Sequence, residues 1–593
     1  MVHYVYIKPC RYCDHLQYID MEGFVIADNL YDEMSLSEFI TLPDTVSFYS
    51  LYTPRIQDYV SNRPYIRLGQ VLVNEIAIFY TSERYMNEIF KDLGSDFLNV
   101  YPEIYGLTGR ESLEAAGILR AQQQPYIRLS GHGVIVGIID TGIDYTLPVF
   151  KYENNTSKIK YIWDQTINSE NPNDVNFGSV YTQRELDEAL QSDNPFDIVP
   201  HRDEDGHGTF LASIAAGREY GEYIGAAPDA SLIVVKLRGA SKYYREKFLV
   251  PSSQKNAYES TDIMIAIDYI TKKASQLRMP CVICLGLGTN FGGHNGQNKL
   301  EQYVSFLSNV QGFAICTGVG SESNARHHTE GIIERTGDVQ SIEVRVGDNA
   351  DSLSVYVWYE GWDKISFSLK SPTGELINRI PFFSGTTYEK KLIIEKSTVS
   401  VLYHQNESRF AVIQVRDVVP GTWEIRLHGD AIISGRYHAW LPMTGFISPD
   451  VEFISPTPNY TTVIPSTARG IISVGAYNEI DNSLYINSSW GPSVDSIVTP
   501  DFVAPGVSVQ GYYPRGEGNM TGTSVSSAIT SGAVALLLQW GIVEGNAPSL
   551  TGNRIRTVLI RSCDREATRE YPNPRWGYGT LNFIEVFNIF REE

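Results

Sequence analysis

Three short stretches combine residue types that together could break a covalent bond. Asp140-Thr141-Gly142 places a carboxylate straight after an apolar run. Asp205-Gly206-His207-Gly208-Thr209 places an imidazole at the start of a helical pattern, and Gly522-Thr523-Ser524 places a hydroxyl at the start of another. A serine hydroxyl is a weak nucleophile until an imidazole takes its proton, and the imidazole needs a carboxylate to hold its tautomer and stabilise its charge. Acyl transfer is the chemistry these three types perform together. Each stretch also has a plainer reading: a turn after a strand, a neighbour of a helix cap, and a serine N-cap satisfying orphan N–H groups.

The elements around them are consistent with the joint reading. Apolar runs at Val134–Asp140, Ser231–Val235, Cys281–Gly286, Phe313–Thr317 and Ile471–Gly475 alternate with helical patterns over His207–Ala216, Thr261–Leu277 and Ser524–Trp540. That alternation predicts an α/β fold, a parallel sheet with helices on both faces. Such sheets carry their chemistry at the carboxyl ends of strands. Between His328 and Pro456 the period changes to two, in runs separated by turn residues. This predicts an inserted antiparallel β-sandwich of jelly-roll type. Near the N-terminus, Val71–Tyr80 alternates as a strand, Glu83–Leu93 is helical, and a second strand is expected near Phe97–Tyr101. These form a small α+β module, while residues 1–65 show no pattern that assigns them. The expected division is 1–109 for the N-terminal extension and module, 110–330 and 456–593 for the two parts of the parallel-sheet domain, and 331–455 for the insertion.

Composition narrows the partners. The 593 residues are 42% hydrophobic and 20% charged, and 48 basic against 69 acidic residues leave a net charge of −21. Such a surface repels phosphate backbones and anionic lipid, so nucleic acid and membranes are not expected partners. Six cysteines are too few for a disulfide scaffold. Cys10 and Cys13 with His15 resemble half a zinc site, but no second pair completes four ligands. The acidic residues form no calcium-loop signature, so no metal or cofactor is expected. The first residues lack the basic start and apolar core of a secretory signal, and no run of 18 apolar residues suggests a membrane span. The expected location is the cytoplasm.

More than the three motifs then agree with one family. The chain resembles the subtilases over roughly 110–325 and 456–585, through Gly133-Val-Ile-Val-Gly-Ile-Ile-Asp-Thr-Gly-Ile-Asp144, Asp205-Gly-His-Gly-Thr-Phe-Leu-Ala-Ser-Ile-Ala-Ala-Gly217, Gly225-Ala-Ala-Pro-Asp-Ala230 and Pro500-Asp-Phe-Val-Ala-Pro-Gly506. The order Asp, His, Ser is the subtilisin order. The separations here are 67 and 317 residues, and the inserted β region accounts for the length of the second. Asp-Thr-Gly also marks aspartic proteases, but those pair two carboxylates, and the chain has no second Asp-Thr-Gly or Asp-Ser-Gly.

The resemblance implies a serine endopeptidase with Asp140, His207 and Ser524 as catalytic residues. It also implies that Leu285, Gly286, Leu287 and Gly288 form the strand that pairs with a peptide substrate through backbone bonds. Two positions depart from the family pattern. Ser321 stands where subtilases carry the asparagine that stabilises the oxyanion, and Ala528 stands where they usually carry proline. Within the family, Tyr105-Gly-Leu, Trp163-Asp-Gln and Asn324-Ala-Arg-His-His look like the clostridial germination-protease (Csp) type. That type implies a prodomain that the enzyme cuts from itself, here within 90–112, and retains non-covalently. It further implies packaging in the spore and a spore-cortex hydrolase zymogen as substrate. A slow or inactive subtilase serving as a scaffold or signalling relay is the alternative. His132, His327 and His328 are read as structural, with no carboxylate spaced to pair with them.

Overall fold

Seven apolar strands align in parallel because each is flanked by helices that cover both of its faces. In the computed structural model, which describes residues 34–73, 75–93, 102–107, 116, 118, 122, 128–168, 174–382, 387–405 and 408–592, they run in the order Phe502–Pro505, Ile472–Asn478, Phe313–Gly318, Cys281–Leu285, Ile135–Asp140, Ser231–Lys236 and Ile159–Asp164. Short antiparallel strands, Ser483–Leu484 and Ser179–Thr182, join at the sides. Helices His207–Ala216 and Thr523–Leu538 pack one face of the sheet. Helices Ser260–Leu277 and Lys299–Leu307 pack the other. The sequence pattern did not mark strands Ile159–Asp164 and Phe502–Pro505 or helix Lys299–Leu307.

Every residue of Thr523–Leu538 is buried. Its continuation to Val543 is long and apolar enough to cross a bilayer by length and composition, and 89% of that window lies inside the protein. It is the central helix of the core.

The region of period two is an antiparallel sandwich whose strands run from His328 to Phe453. One sheet has six strands, in the order His328–Ile332, Arg436–Trp440, Ser352–Glu360, Ser408–Arg416, Thr398–Gln405 and Thr387–Lys391. The other has five. Alternate residues such as Val355, Val357, Val399, Val401, Ile413 and Val415 fill the core between them, as inward-facing positions of paired sheets must. The opposite face of the six-stranded sheet, with Tyr356, Trp358, Val412 and Trp440, turns toward the parallel-sheet domain and meets Phe291.

The N-terminal module departs from the expected outline. Val71–Tyr80 is not one strand: Ile66–Val71 ends there, the chain reverses, and Ile76–Ser82 returns antiparallel to it. The apolar alternation runs through a short turn in which Glu75 takes a left-handed φ of 62°, so period alone hides the reversal. Residues 45–61, left unassigned, form strand Thr45–Leu51 and helix Pro54–Ser61. The helix Met86–Leu93 confirms the helical pattern. The expected strand at Phe97–Tyr101 lies outside the described residues. The module docks on helix Ser260–Leu277, where buried Ser47 donates to Glu259 at 2.8 Å, and Tyr244 donates to the Ser47 carbonyl at 2.6 Å.

Candidate active site

Asp140 ends the central strand Ile135–Asp140 and is fully buried. Helix His207–Ala216 begins directly against that strand end. A Cβ on Gly208 would lie 2.3 Å from the Gly142 carbonyl oxygen and 3.0 Å from Asp140 Cβ, so only glycine permits this approach. Asp203 caps the helix, accepting the N–H groups of Gly206 and Thr209 at 2.8 and 2.9 Å and the Thr209 hydroxyl at 2.6 Å. Ser524 occupies the first turn of Thr523–Leu538, whose preceding Gly522 has φ 142°.

These elements bring the three side chains into one line. His207 Nδ1 lies 2.8 and 2.9 Å from the two Asp140 carboxylate oxygens, and Nε2 lies 3.2 Å from Ser524 Oγ. With the carboxylate on Nδ1, that nitrogen carries the proton and Nε2 is left to accept one from the hydroxyl. The helix N-terminus adds partial positive charge and backbone N–H groups where an oxyanion would form.

Thr523 Oγ1 accepts the Gly320 N–H at 3.1 Å, tying the Gly320–Ser321 loop to the nucleophile's helix. Ser321 is half-buried and Asn324 is exposed. The loop is also pinned at Glu322, whose N–H donates to Ser489 Oγ at 2.9 Å. The Glu322 carboxylate accepts the Thr444 N–H at 2.9 Å and faces His327 Nδ1 at 2.8 Å. Burial pushes this carboxyl upward, but His327 and Thr444 outweigh it and hold it below the usual range. The expectation that His327 has no carboxylate partner is therefore corrected. His328, in contrast, stacks on His438.

A second dyad escaped sequence reading altogether. His201 Nδ1 lies 2.6 Å from Asp164, and its Nε2 accepts the Ile143 N–H at 3.1 Å. Burial raises the Asp164 carboxyl, and contact with His201 more than reverses this. The pair braces the loop that follows Asp140. Its only sequence signal is the Trp163-Asp164-Gln165 block.

The four expected substrate-strand residues divide. Leu285 closes the central strand in register with Ile139 and Thr317 on its two sides, so its backbone is already used and it cannot receive a peptide. This corrects its assignment. Gly286 lies against the dyad: a Cβ there would fall 3.1 Å from His207 Cε1 and 3.3 Å from Asp140 Oδ2. Leu287–Gly288 is the two-residue strand that pairs outward, and its partner is the chain itself. Strand Ile104–Leu107 runs antiparallel to it, Leu107 opposite Leu287 and Gly106 opposite Gly288. On its other side this strand pairs with Tyr258–Glu259. Tyr105 is fully buried, and burial pushes the neighbouring Glu103 carboxyl up to about 6.

Comparison with known proteins identifies the family and the fold. The sequence matches the subtilase family over residues 131–322 and 453–579, more than half of the chain, and the gap between them holds the sandwich strands. The solved structure of the Clostridium perfringens CspB protease superposes with a TM-score of 0.71 at 29% identity, covering 81% of this chain and 98% of that one. Subtilisin-like protease SBT2.4 of Arabidopsis thaliana is 28% identical over 130 residues, 18% of this chain. Subtilisin-like protease 10 of Arthroderma otae is 38% identical over 89 residues, 14% of this chain. These matches span only 16% and 20% of the two curated proteases.

Proposed function

The chain belongs to the subtilase family, and on that footing we propose that it is a serine endopeptidase with Asp140, His207 and Ser524 as its catalytic residues. The observation that carries the reading is the continuous line of carboxylate, imidazole and hydroxyl within 3.2 Å. An extended substrate pairs between Leu287–Gly288 and Tyr258–Glu259. Ser524 Oγ bonds to the scissile carbonyl carbon while His207 Nε2 takes its proton, and Asp140 stabilises the resulting imidazolium. The oxyanion is held by the Ser524 N–H, with the Ser321 hydroxyl as the second donor. His207 returns the proton to the departing amine as the C–N bond breaks. Water then attacks the acyl ester through the same base and releases the acid.

The first substrate is the chain's own N-terminal module. Strand Ile104–Leu107 already lies where a substrate would pair. In this antiparallel register, each step beyond Leu107 is a step from Leu287 back toward Gly286 and His207. The cut therefore falls just after Leu107, within 90–112, and the severed module stays bound through contacts such as Ser47 with Glu259. The resemblance to the germination-protease type supports a spore-cortex hydrolase zymogen as the later substrate, met in the cytoplasm or spore.

One observation favours a second reading, a slow or inactive subtilase acting as a scaffold: the shorter side chain of Ser321 in the oxyanion position. Hydrolysis of a fluorogenic peptide by purified full chain, beside Ser524→Ala, decides between them. Turnover by the wild type alone supports the enzyme; equal background from both supports the scaffold.

A further inference from the structure

Where the parallel-sheet domain and the sandwich meet there is a cavity of about 160 Å³, room for roughly five waters. His404, on strand Thr398–Gln405, lines it. Its side chain is 3% exposed, and neither ring nitrogen has a hydrogen-bond partner among the described residues. A buried imidazole with both nitrogens unmet is costly, and folded proteins keep such groups where another molecule satisfies them.

The surroundings specify the kind of molecule. Lys247 and Arg416 bring two cationic groups to the lining, against one carboxylate from exposed Glu389. The backbone that carries Lys247 is held to the sandwich. Gln414 donates to its carbonyl at 3.0 Å, Arg416 donates to the Glu246 carbonyl at 3.1 Å, and the Lys247 ammonium sits 5.3 Å from the Phe90 ring. Burial, with Arg416 adding repulsion, pushes the Lys247 ammonium down to about 8. Phe248 and Phe291, edge to face at 4.8 Å, form an apolar wall.

We propose that this cavity binds a small carboxylate with an apolar body, the carboxylate on Lys247 and Arg416 with one oxygen accepting from His404 and the body against Phe248 and Phe291. Binding there ties the sandwich to the parallel-sheet domain, because the residues that meet the ligand come from both sides of that seam.

Calorimetric titration of the full chain with benzoate, inorganic phosphate and benzylamine tests this. Benzoate gives saturable binding, benzylamine gives none, and phosphate binds more weakly than benzoate. Lys247→Met and His404→Phe each weaken benzoate by about 10-fold or more. No benzoate binding, preference for phosphate, or equal affinity in both variants overturns the proposal. A readout on the wild type needs no variant to fold: brief acylation at pH 8 with mapping by mass spectrometry. Benzoate slows labelling of Lys247 while exposed Lys242 is unaffected; unchanged labelling of Lys247 overturns the proposal.

Discussion

Among the described residues are two buried aspartate–histidine pairs of the same composition, Asp140 with His207 and Asp164 with His201. In each, a carboxylate oxygen lies within 2.8 Å of Nδ1. The second nitrogen separates their fates. In His207 it faces the Ser524 hydroxyl at 3.2 Å, a group whose proton it can take. In His201 it is filled by the Ile143 backbone N–H at 3.1 Å, a donor that offers no useful proton and leaves no room for substrate. A dyad becomes catalytic through what stands on its far side; otherwise it is a brace. Glu322 with His327 is a third such pair and braces the Ser321 loop.

Substituting the carboxylate in each pair separates these roles. Asp140→Asn removes the acceptor that fixes the His207 tautomer, and kcat falls about 10⁴-fold, while a thermal melt changes little. Asp164→Asn inverts the pattern. A buried pair loses its charge, so unfolding is easier by about 3 kcal/mol, yet the folded fraction keeps its pH–rate profile. A 10⁴-fold loss of kcat in Asp164→Asn at unchanged stability would erase the distinction.

Two buried histidines outside these pairs set the next contrast, the nearer carboxylate to His438 Nδ1 being Glu330 at 3.8 Å. Burial pushes His294 down to about 4, and burial with Arg436 pushes His438 down to about 3. Both sit at the seam between sandwich and parallel-sheet domain, beside Trp440. They are neutral when folded but take up protons when unfolded near the usual 6.5. Their contribution is therefore complete above pH 6.5 and is lost progressively as pH falls toward their folded values. Between pH 7 and pH 5 each withdraws on the order of 2 kcal/mol. Urea unfolding at the two pH values measures this, and equal midpoints would refute it. The smallest expected effect is on the oxyanion. Ser321→Asn lengthens the donor, and kcat for a peptide rises about 10- to 100-fold; a fall in kcat would show that the serine is not the second donor.

How legible these features were follows from where each partner lies. Asp140, His207 and Ser524 stand at a strand end and two helix starts, marked by glycines that close packing demands, so local pattern found them. His201 and Asp164 are 37 residues apart and meet only through the tertiary fold. Thr45–Leu51 carried no alternation because both its faces are covered, and its burial runs through Val46, Ser47, Phe48 and Tyr49 together. Of the residues expected to receive substrate, Leu287 and Gly288 form the short strand that pairs with Ile104–Leu107. Leu285 failed because an apolar run does not reveal where the central sheet stops and an edge begins. That Ile104–Leu107 occupies this edge is a long-range pairing that composition does not mark.

The most direct test is the intact mass of purified full chain beside Ser524→Ala. Wild type in two pieces, cut just after Leu107, with Ser524→Ala whole, is the predicted result. Both proteins whole, or both cut at the same bond, would contradict the assignment of Ser524 as the nucleophile acting on the strand in its own cleft.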